Sequence, residues 1–259
     1  SVSKLPKEEK QGEIWAQYGS FHRKQIAFDV TGPATEDGKL LYRVVGLERD
    51  SQTQVDYVDD DGFFIAPSLT WRPTEDTSFT VLFNRQMNTG QVSAQFLPQA
   101  GTLDRGPLGY VGSETFVGEP GWDKYDREKT EVTLMFDHSF NQAWSFSTTA
   151  RYSESSTKTR EHYTTAPSGF TTDADGNIGR FITTADRETR IFNLDARLQG
   201  KFDTGVVQHN VAIGVDRQDA LWETDNSASA IGTPINLYNP VYGNFDPGIL
   251  DPTNPNDNQ

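Results

Sequence analysis

A 259-residue chain with formal net charge −14, no cysteine and 34% apolar residues is poorly supplied for an ordinary soluble core, yet 12% of it is aromatic. The charge excludes a nucleic-acid binder, since no basic stripe could neutralise phosphates, and the aromatic content argues against disorder. No run approaches the ~18 apolar residues of a membrane helix. A β-barrel is therefore the only means by which such a chain could span a bilayer.

Residues 1–10 form a polar lead, and Ser1 to Pro6 lacks the apolar region of a signal peptide. From Gln11 the sequence falls into segments with a period of two, which places alternate side chains on opposite faces of a strand. The first, Gln11 to Ser20, aligns Ile14, Ala16 and Tyr18. The second, Arg23 to Thr31, aligns Ile26, Phe28 and Val30. Lys39 to Asp50 is the third. In the fourth, Phe63 to Arg72, Ile65, Leu69 and Trp71 share a face. In the fifth, Thr77 to Met87, Phe79, Val81 and Phe83 do so. A Gly/Pro/Gln-rich stretch, 88–125, precedes a hairpin over 129–155 whose limbs alternate Val132, Leu134 and Phe136, then Trp144, Phe146 and Ala150, about a turn at Asn141. After a Thr/Gly/Asp-rich stretch, 156–186, strand eight (Arg187 to Gln199) opposes Phe192, Leu194 and Ala196 to Asn193, Asp195 and Arg197. Strand nine is expected over Val206 to Asp219, and residues 220–259 show no strand period.

The connections after strands two, four, six and eight are short, and those after three, five, seven and nine are long. A transmembrane barrel produces this alternation, with tight periplasmic turns and extended extracellular loops. Trp71, Phe79, Phe140, Trp144 and Phe202 fall beside the short turns, as membrane-interface anchors would. Tyr18, Phe21, Tyr57, Tyr125 and Tyr152 fall toward the long loops. The fold class predicted is all-β, a transmembrane antiparallel meander of about nine strands. An odd count suggests part of a larger barrel, because single-chain bacterial barrels are even-stranded. A porin-like passive barrel and a soluble secreted β-sandwich binding module are the alternatives.

Catalysis finds no support: His22, His138, His162 and His209 are scattered, and no ligand-spaced cluster suggests a metal. His138 reads as interfacial. Asp173-Ala-Asp-Gly-Asn177 starts like a calcium loop but lacks its later ligands and reads as a turn. The acidic run 59–61 reads as a solvated loop. Polar rows such as Glu131, Thr133 and Asp137 would contact a plug or set the selectivity of a pore.

Several phrases then resemble one family. Ser1-Val-Ser-Lys-Leu-Pro6, Tyr18-Gly-Ser-Phe-His-Arg-Lys-Gln25, Phe28-Asp-Val-Thr-Gly-Pro33 and Phe64-Ile-Ala-Pro-Ser-Leu-Thr-Trp-Arg-Pro73 are similar to the plug–barrel junction and first strands of TonB-dependent ferric-siderophore receptors. Gln95-Phe-Leu-Pro98 and Gly118-Glu-Pro-Gly-Trp-Asp-Lys-Tyr-Asp-Arg-Glu128 resemble that family's third extracellular loop. The resemblance implies a 22-stranded outer-membrane barrel with a plug, of which residues 1–10 end the plug, 11–219 begin the barrel and 220–259 form an outer loop. It implies a non-enzymatic receptor in the outer membrane of a Gram-negative bacterium. Such a receptor needs no cofactor, takes a ferric siderophore as cargo, and has the TonB complex and outer-membrane lipids as partners. A wrapped iron chelate calls for aromatic walls and a few polar donors. Gln95, Phe96, Leu97, Trp122 and Tyr125 are the ligand-binding candidates.

Overall fold

A computed structural model describes residues 4–92, 95–164, 170–246, 248 and 250. Ser1 to Ser3 and residues 251–259, on which parts of the plug and outer-loop expectations fall, lie outside that set. Among the described residues, nine strands make one antiparallel sheet in simple sequence order. They are β1 (Gln11–Tyr18), β2 (Lys24–Pro33), β3 (Leu40–Asp50), β4 (Asp60–Thr74), β5 (Thr77–Gly90), β6 (Lys124–Ser139), β7 (Trp144–Thr164), β8 (Asn177–Thr204) and β9 (Val207–Asn236).

The register places the apolar halves of successive strands side by side. One row runs Trp71–Phe79–Phe136–Thr148–Ala196–Val215, and the next Leu69–Val81–Leu134–Ala150–Leu194. Both lie on a single face, which leaves Leu69, Leu134 and Val215 half or more exposed. The opposite face carries Asp29, Arg43, Thr70, Thr80, Thr133, Arg151 and Asp195. Its short polar chains bond across the strands, as between Thr70 and Thr80 (2.8 Å) and from Arg151 to Thr133 (3.2 Å). An apolar exterior and a hydrogen-bonded interior invert the arrangement of a soluble protein and match a wall with lipid outside it.

Short connections (34–39, 75–76, 140–143 and 205–206) gather at one end. At 140–143 the Asn141 side-chain oxygen accepts the N–H groups of Ala143 and Trp144 (2.8 and 3.0 Å), which explains why this turn closes so tightly. The five residues expected as interface anchors lie at this end. Trp71 stacks on Phe79, which packs on Phe136, and Phe140 meets His138 edge-on. Trp144 stacks over Phe202. The Trp144 ring also covers Gly200, where an added Cβ would meet it at 2.7 Å and force the ring to shift.

The lead lies on the polar face. Lys4 and Arg43 both pair with Asp29 (2.7 Å each), Arg43 also donates to the Leu5 carbonyl, and Arg72 pairs with Glu8.

Four strands outrun their sequence pattern, β6 by opening at Lys124 inside the stretch expected to be irregular, and three others by more. β7 continues past Ser155 to Thr164, β8 starts at Asn177 rather than Arg187, and β9 reaches Asn236 rather than Asp219. The reason is the covering: beyond the apolar band no lipid demands an apolar side, and the loops that cover the outward phase bury His162, Thr164 and Arg180 alongside Ile178 and Ile182, so no clean alternation marks the strand. Threonine and other β-branched residues sustain it instead. The acidic run is likewise no solvated loop, because Asp60 and Asp61 open β4. Tyr57 and Tyr125 do not join an outer girdle. Tyr57 packs on Tyr242 within the loops, and Tyr125 shares the polar face with Glu131.

Candidate ligand-binding site

The extension of β7, β8 and β9 is paired almost to its tip, with Thr164 against Arg180 and Asn177 against Asn236. Its two faces have different fates. Residues in the outward phase (His162, Thr164, Ile178, Arg180 and Ile182) are buried under the β5–β6 loop and the segment after β9. A small core forms there from Val117, Ile178, Ile235 and Leu237, with Leu97 and Tyr238 against it.

Buried polar groups fix that loop in place. Arg180, 1% exposed, pairs with Glu119 (2.8 Å) and donates to the carbonyls of Val117, Gly118 and Thr233. The second oxygen of Glu119 accepts the Gly243 N–H (2.7 Å). Asp123 takes the backbone N–H and ring Nδ1 of His162 (2.9 and 2.7 Å) and caps the Glu119 N–H (3.0 Å). The Gln95 amide donates to the Thr115 carbonyl and accepts the Val117 N–H, so both its ends are engaged within the loop. Each group so deeply buried needs such partners, because an unpaired one would carry a large desolvation penalty.

The inward phase remains open. Thr159, Glu161, Tyr163, Thr183, Ala185 and Arg187 continue the polar face of the sheet. With Asp59–Asp61, the end of β5, Phe96, Tyr125 and Arg127, they enclose a cavity of about 950 Å³. Aromatic walls come from three elements: Phe96 from the loop, Tyr125 from β6 and Tyr163 from β7. Phe96 meets Tyr163 edge-on (6.1 Å), and the Arg127 guanidinium lies 5.2 Å over the Tyr125 ring. The Thr159 hydroxyl is buried with no partner among the described residues.

Charge in the cavity is mixed. Asp60 receives Arg49 (2.6 Å) and Arg23 (3.4 Å), and Asp61 accepts the Ser51 N–H. Burial pushes the Asp59 carboxyl above its ordinary range, with Asp61 adding to the effect. Glu161 stands on the extension, beyond the apolar band. Burial raises its pKa, Asp123 adds to the rise and Arg187 opposes it. Among the described residues no group of three or more potential metal ligands exists, so the wall holds aromatic, hydroxyl and charged groups but no chelating cluster. Asp173 closes a turn, its carboxylate accepting the N–H groups of Asp175 and Asn177.

Of the five ligand-binding candidates, the cavity brings together Phe96 and Tyr125. Gln95 is buried behind them and Leu97 packs on the loop core. Trp122 sits edge-on to His162 (5.0 Å) and Phe245 (5.3 Å), on the covered face. Sequence reasoning missed Tyr163, Glu161, Arg127 and Arg187. The threonines at 157, 159, 164, 183 and 184 were the available signal, since so many β-branched residues favour strands over a loop.

The fold defines the class: a stretch of outer-membrane β-barrel wall, with an apolar band outside, polar residues inside and extended outer strands. No protein-family model matches the chain. It is 29% identical over 242 residues to the ferrioxamine B receptor of Salmonella typhimurium (strain SL1344), covering 93% of this chain and 34% of that protein. It is 30% identical over 278 residues to the ferrichrome outer membrane transporter/phage receptor of Escherichia coli K12, covering 98% and 36%. The ferric-catecholate import receptor Fiu of E. coli superposes with a TM-score of 0.76 at 18% identity, over 94% of this chain and 37% of Fiu. The ferric preacinetobactin receptor BauA of Acinetobacter baumannii gives 0.76 at 16%, over 95% and 36%. The chain thus spans about a third of the length of the curated relatives it matches. The resemblance to TonB-dependent ferric-siderophore receptors holds over most of its length: this is an outer-membrane barrel sequence homologous to those receptors, which are transporters and not enzymes.

Proposed function

We propose that this chain supplies the leading barrel wall, and one wall of the binding cavity, of a receptor that captures a ferric siderophore at the cell surface. The receptor imports it with energy delivered through the TonB complex. The observation that carries the reading is the inward cavity of about 950 Å³ with Phe96, Tyr125 and Tyr163 on its walls and Arg127, Arg187 and Glu161 among its polar groups. That volume suits a bulky preformed chelate, which is held by aromatic surfaces and a few directed polar contacts. The lead supports a receptor over an open pore. Its ion pairs to Asp29 and Arg72, and the hydrogen bond that the Leu5 carbonyl accepts from Arg43, fasten a polar segment to the inner face, where an open channel would hold water. Within the cavity, Phe96 and Tyr125 contact ligand, while Gln95, Leu97 and Trp122 hold the loop that presents Phe96. Trp71, Phe79, Phe140, Trp144 and Phe202 anchor the wall at the inner lipid interface.

The test is uptake. Deleting the gene in its host should abolish growth on at least one ferric siderophore as sole iron source, with ferrioxamine B and ferrichrome the first to try. Restoring the gene should rescue growth. Undiminished uptake of every siderophore tried would overturn the reading.

A further inference from the structure

Two histidines stand on the apolar exterior at the short-turn end, where aliphatic and aromatic side chains would suffice to meet lipid. The register puts His138 in the outward row of Thr77 and Phe146, and His209 opposite Phe202. Both are half-buried. Each ring lies against aromatic neighbours. His138 is parallel to Phe136 (6.3 Å between centroids, 6°) and meets Phe140 edge-on (4.8 Å), while His209 stacks on Phe202 (5.0 Å). Both imidazoles thus sit where the apolar band gives way to water.

A threonine holds one nitrogen of each ring. Thr77 Oγ1 lies 2.9 Å from His138 Nδ1, and Thr204 Oγ1 lies 2.6 Å from His209 Nε2. Thr74 in turn donates to Thr77 (3.0 Å), which leaves Thr77 its own proton to give to Nδ1. That arrangement puts the His138 proton on Nε2. Neither His138 Nε2 nor His209 Nδ1 has a partner among the described residues, and neither is sealed from the exterior as His162 Nε2 is.

The chemistry around them is one-sided. From Thr77 and His138 down to Phe202 and His209, the outward rows of β5 to β9 hold no lysine, arginine, aspartate or glutamate. A phospholipid interface at this end presents phosphodiesters, which are strong acceptors for N–H donors. Beside the Trp144 indole, the two imidazoles are the side-chain N–H donors that these rows offer. Histidine suits the place because it joins an apolar body to a polar tip.

We propose that His138 and His209 are phospholipid sites, each donating its free ring N–H to the phosphodiester of a lipid in the inner leaflet. β6 and β9 are three strands apart, roughly 14 Å at ~4.8 Å per strand, so the two rings serve separate lipids. The inference uses only the barrel wall and does not rest on the siderophore reading.

The test is native mass spectrometry of the full-length receptor with added phosphatidylethanolamine, and with diacylglycerol, which has the same chains and no phosphate. His138→Phe and His209→Phe each keep the aromatic stack and remove one donor. Each should weaken one lipid site on the order of tenfold, as for loss of a hydrogen bond to a charged group, and the double variant should retain two fewer phosphatidylethanolamines than the wild type. Diacylglycerol retention should be the same in all of them. His138→Gln keeps an N–H donor and should hold its lipid. Heat-modifiable migration on a gel shows whether each variant is a folded barrel. Should a variant not fold, nitrogen–phosphorus dipolar coupling in solid-state NMR of the wild type in phosphatidylethanolamine liposomes decides, with coupling expected from histidine ring nitrogens. Equal phosphatidylethanolamine retention in the wild type and the double variant, a matching loss of diacylglycerol, or the absence of that coupling would each overturn the proposal and leave the receptor reading intact.

Discussion

Replacing Glu119 with alanine is the sharpest test of how the outer loop is held. Glu119 and Arg180 are each 1% exposed, and Arg180 has no other acidic partner among the described residues. The substitution leaves a guanidinium charge buried beneath the loop and releases the Gly243 N–H as well. Breaking a buried pair in this way costs about 3–5 kcal/mol. The nine-stranded wall does not depend on the pair, so the loss should appear as local opening rather than global unfolding. At about 1.4 kcal/mol per tenfold, amide protection across residues 115–123 should fall by roughly two to four powers of ten. Hydrogen exchange read by mass spectrometry would show this while β2 to β5 stay protected. The double substitution Glu119→Leu with Arg180→Met removes the stranded charge and should recover much of the protection. Unchanged exchange in Glu119→Ala would refute the claim that this pair holds the loop.

Two further outcomes follow from the face assignment and the cavity charges. Leu134→Arg places a charge on the apolar exterior and should destabilise the folded barrel by about 2–4 kcal/mol in denaturant titrations in lipid. Thr149→Arg, across from Asp195 on the polar face, should cost far less; equal losses would invert the faces. The raised pKa of Glu161 means that the folded loop region binds more protons than the unfolded one between the ordinary carboxylate value and the raised one. The stability of that region therefore rises as pH falls through this window and is lowest above it. Proteolysis of the outer loops should slow as pH drops from neutrality toward the ordinary carboxylate value, and Glu161→Gln should flatten the profile.

The strands embedded in lipid were legible because lipid imposes a pattern. Val132, Leu134 and Phe136 must face out, Glu131, Thr133 and Asp137 must not, and the period of two follows. Above the bilayer the outward face is covered by loops through buried polar groups as well as apolar ones, so no apolar alternation is enforced. The stretch from Ser156 to Thr164 reads as a polar loop, yet it folds as strand, because cross-strand pairing with β8 and its threonines suffice. The site was half legible for the same reason. Phe96 and Tyr125 stand out as aromatics in a Gly/Pro-rich stretch. Tyr163, Glu161 and Arg187 acquire a shared face only once the extension is known to be a sheet. That Gln95 and Trp122 brace the loop rather than line the inner cavity depends on the burial of Glu119, Asp123 and Arg180, which no local pattern announces.

The overshoot of β7 has a consequence of scale. Counting from Ser155 to Thr164 at ~3.3 Å per residue, and allowing for a strand tilt of about 40°, the tip of the extension stands on the order of 25 Å above the apolar band. A height like that clears the lipid headgroups and enters the sugar layer at the cell surface. Under the proposed function the strands work as a mast, on which a diffusing chelate would meet Phe96 and Tyr163 before it can touch the membrane. Shortening β7 and β8 by matched pairs of residues, which keeps the register and the faces intact, would lower the capture point without altering its chemistry. The reach of the receptor and the selectivity of its cavity are therefore separately adjustable quantities.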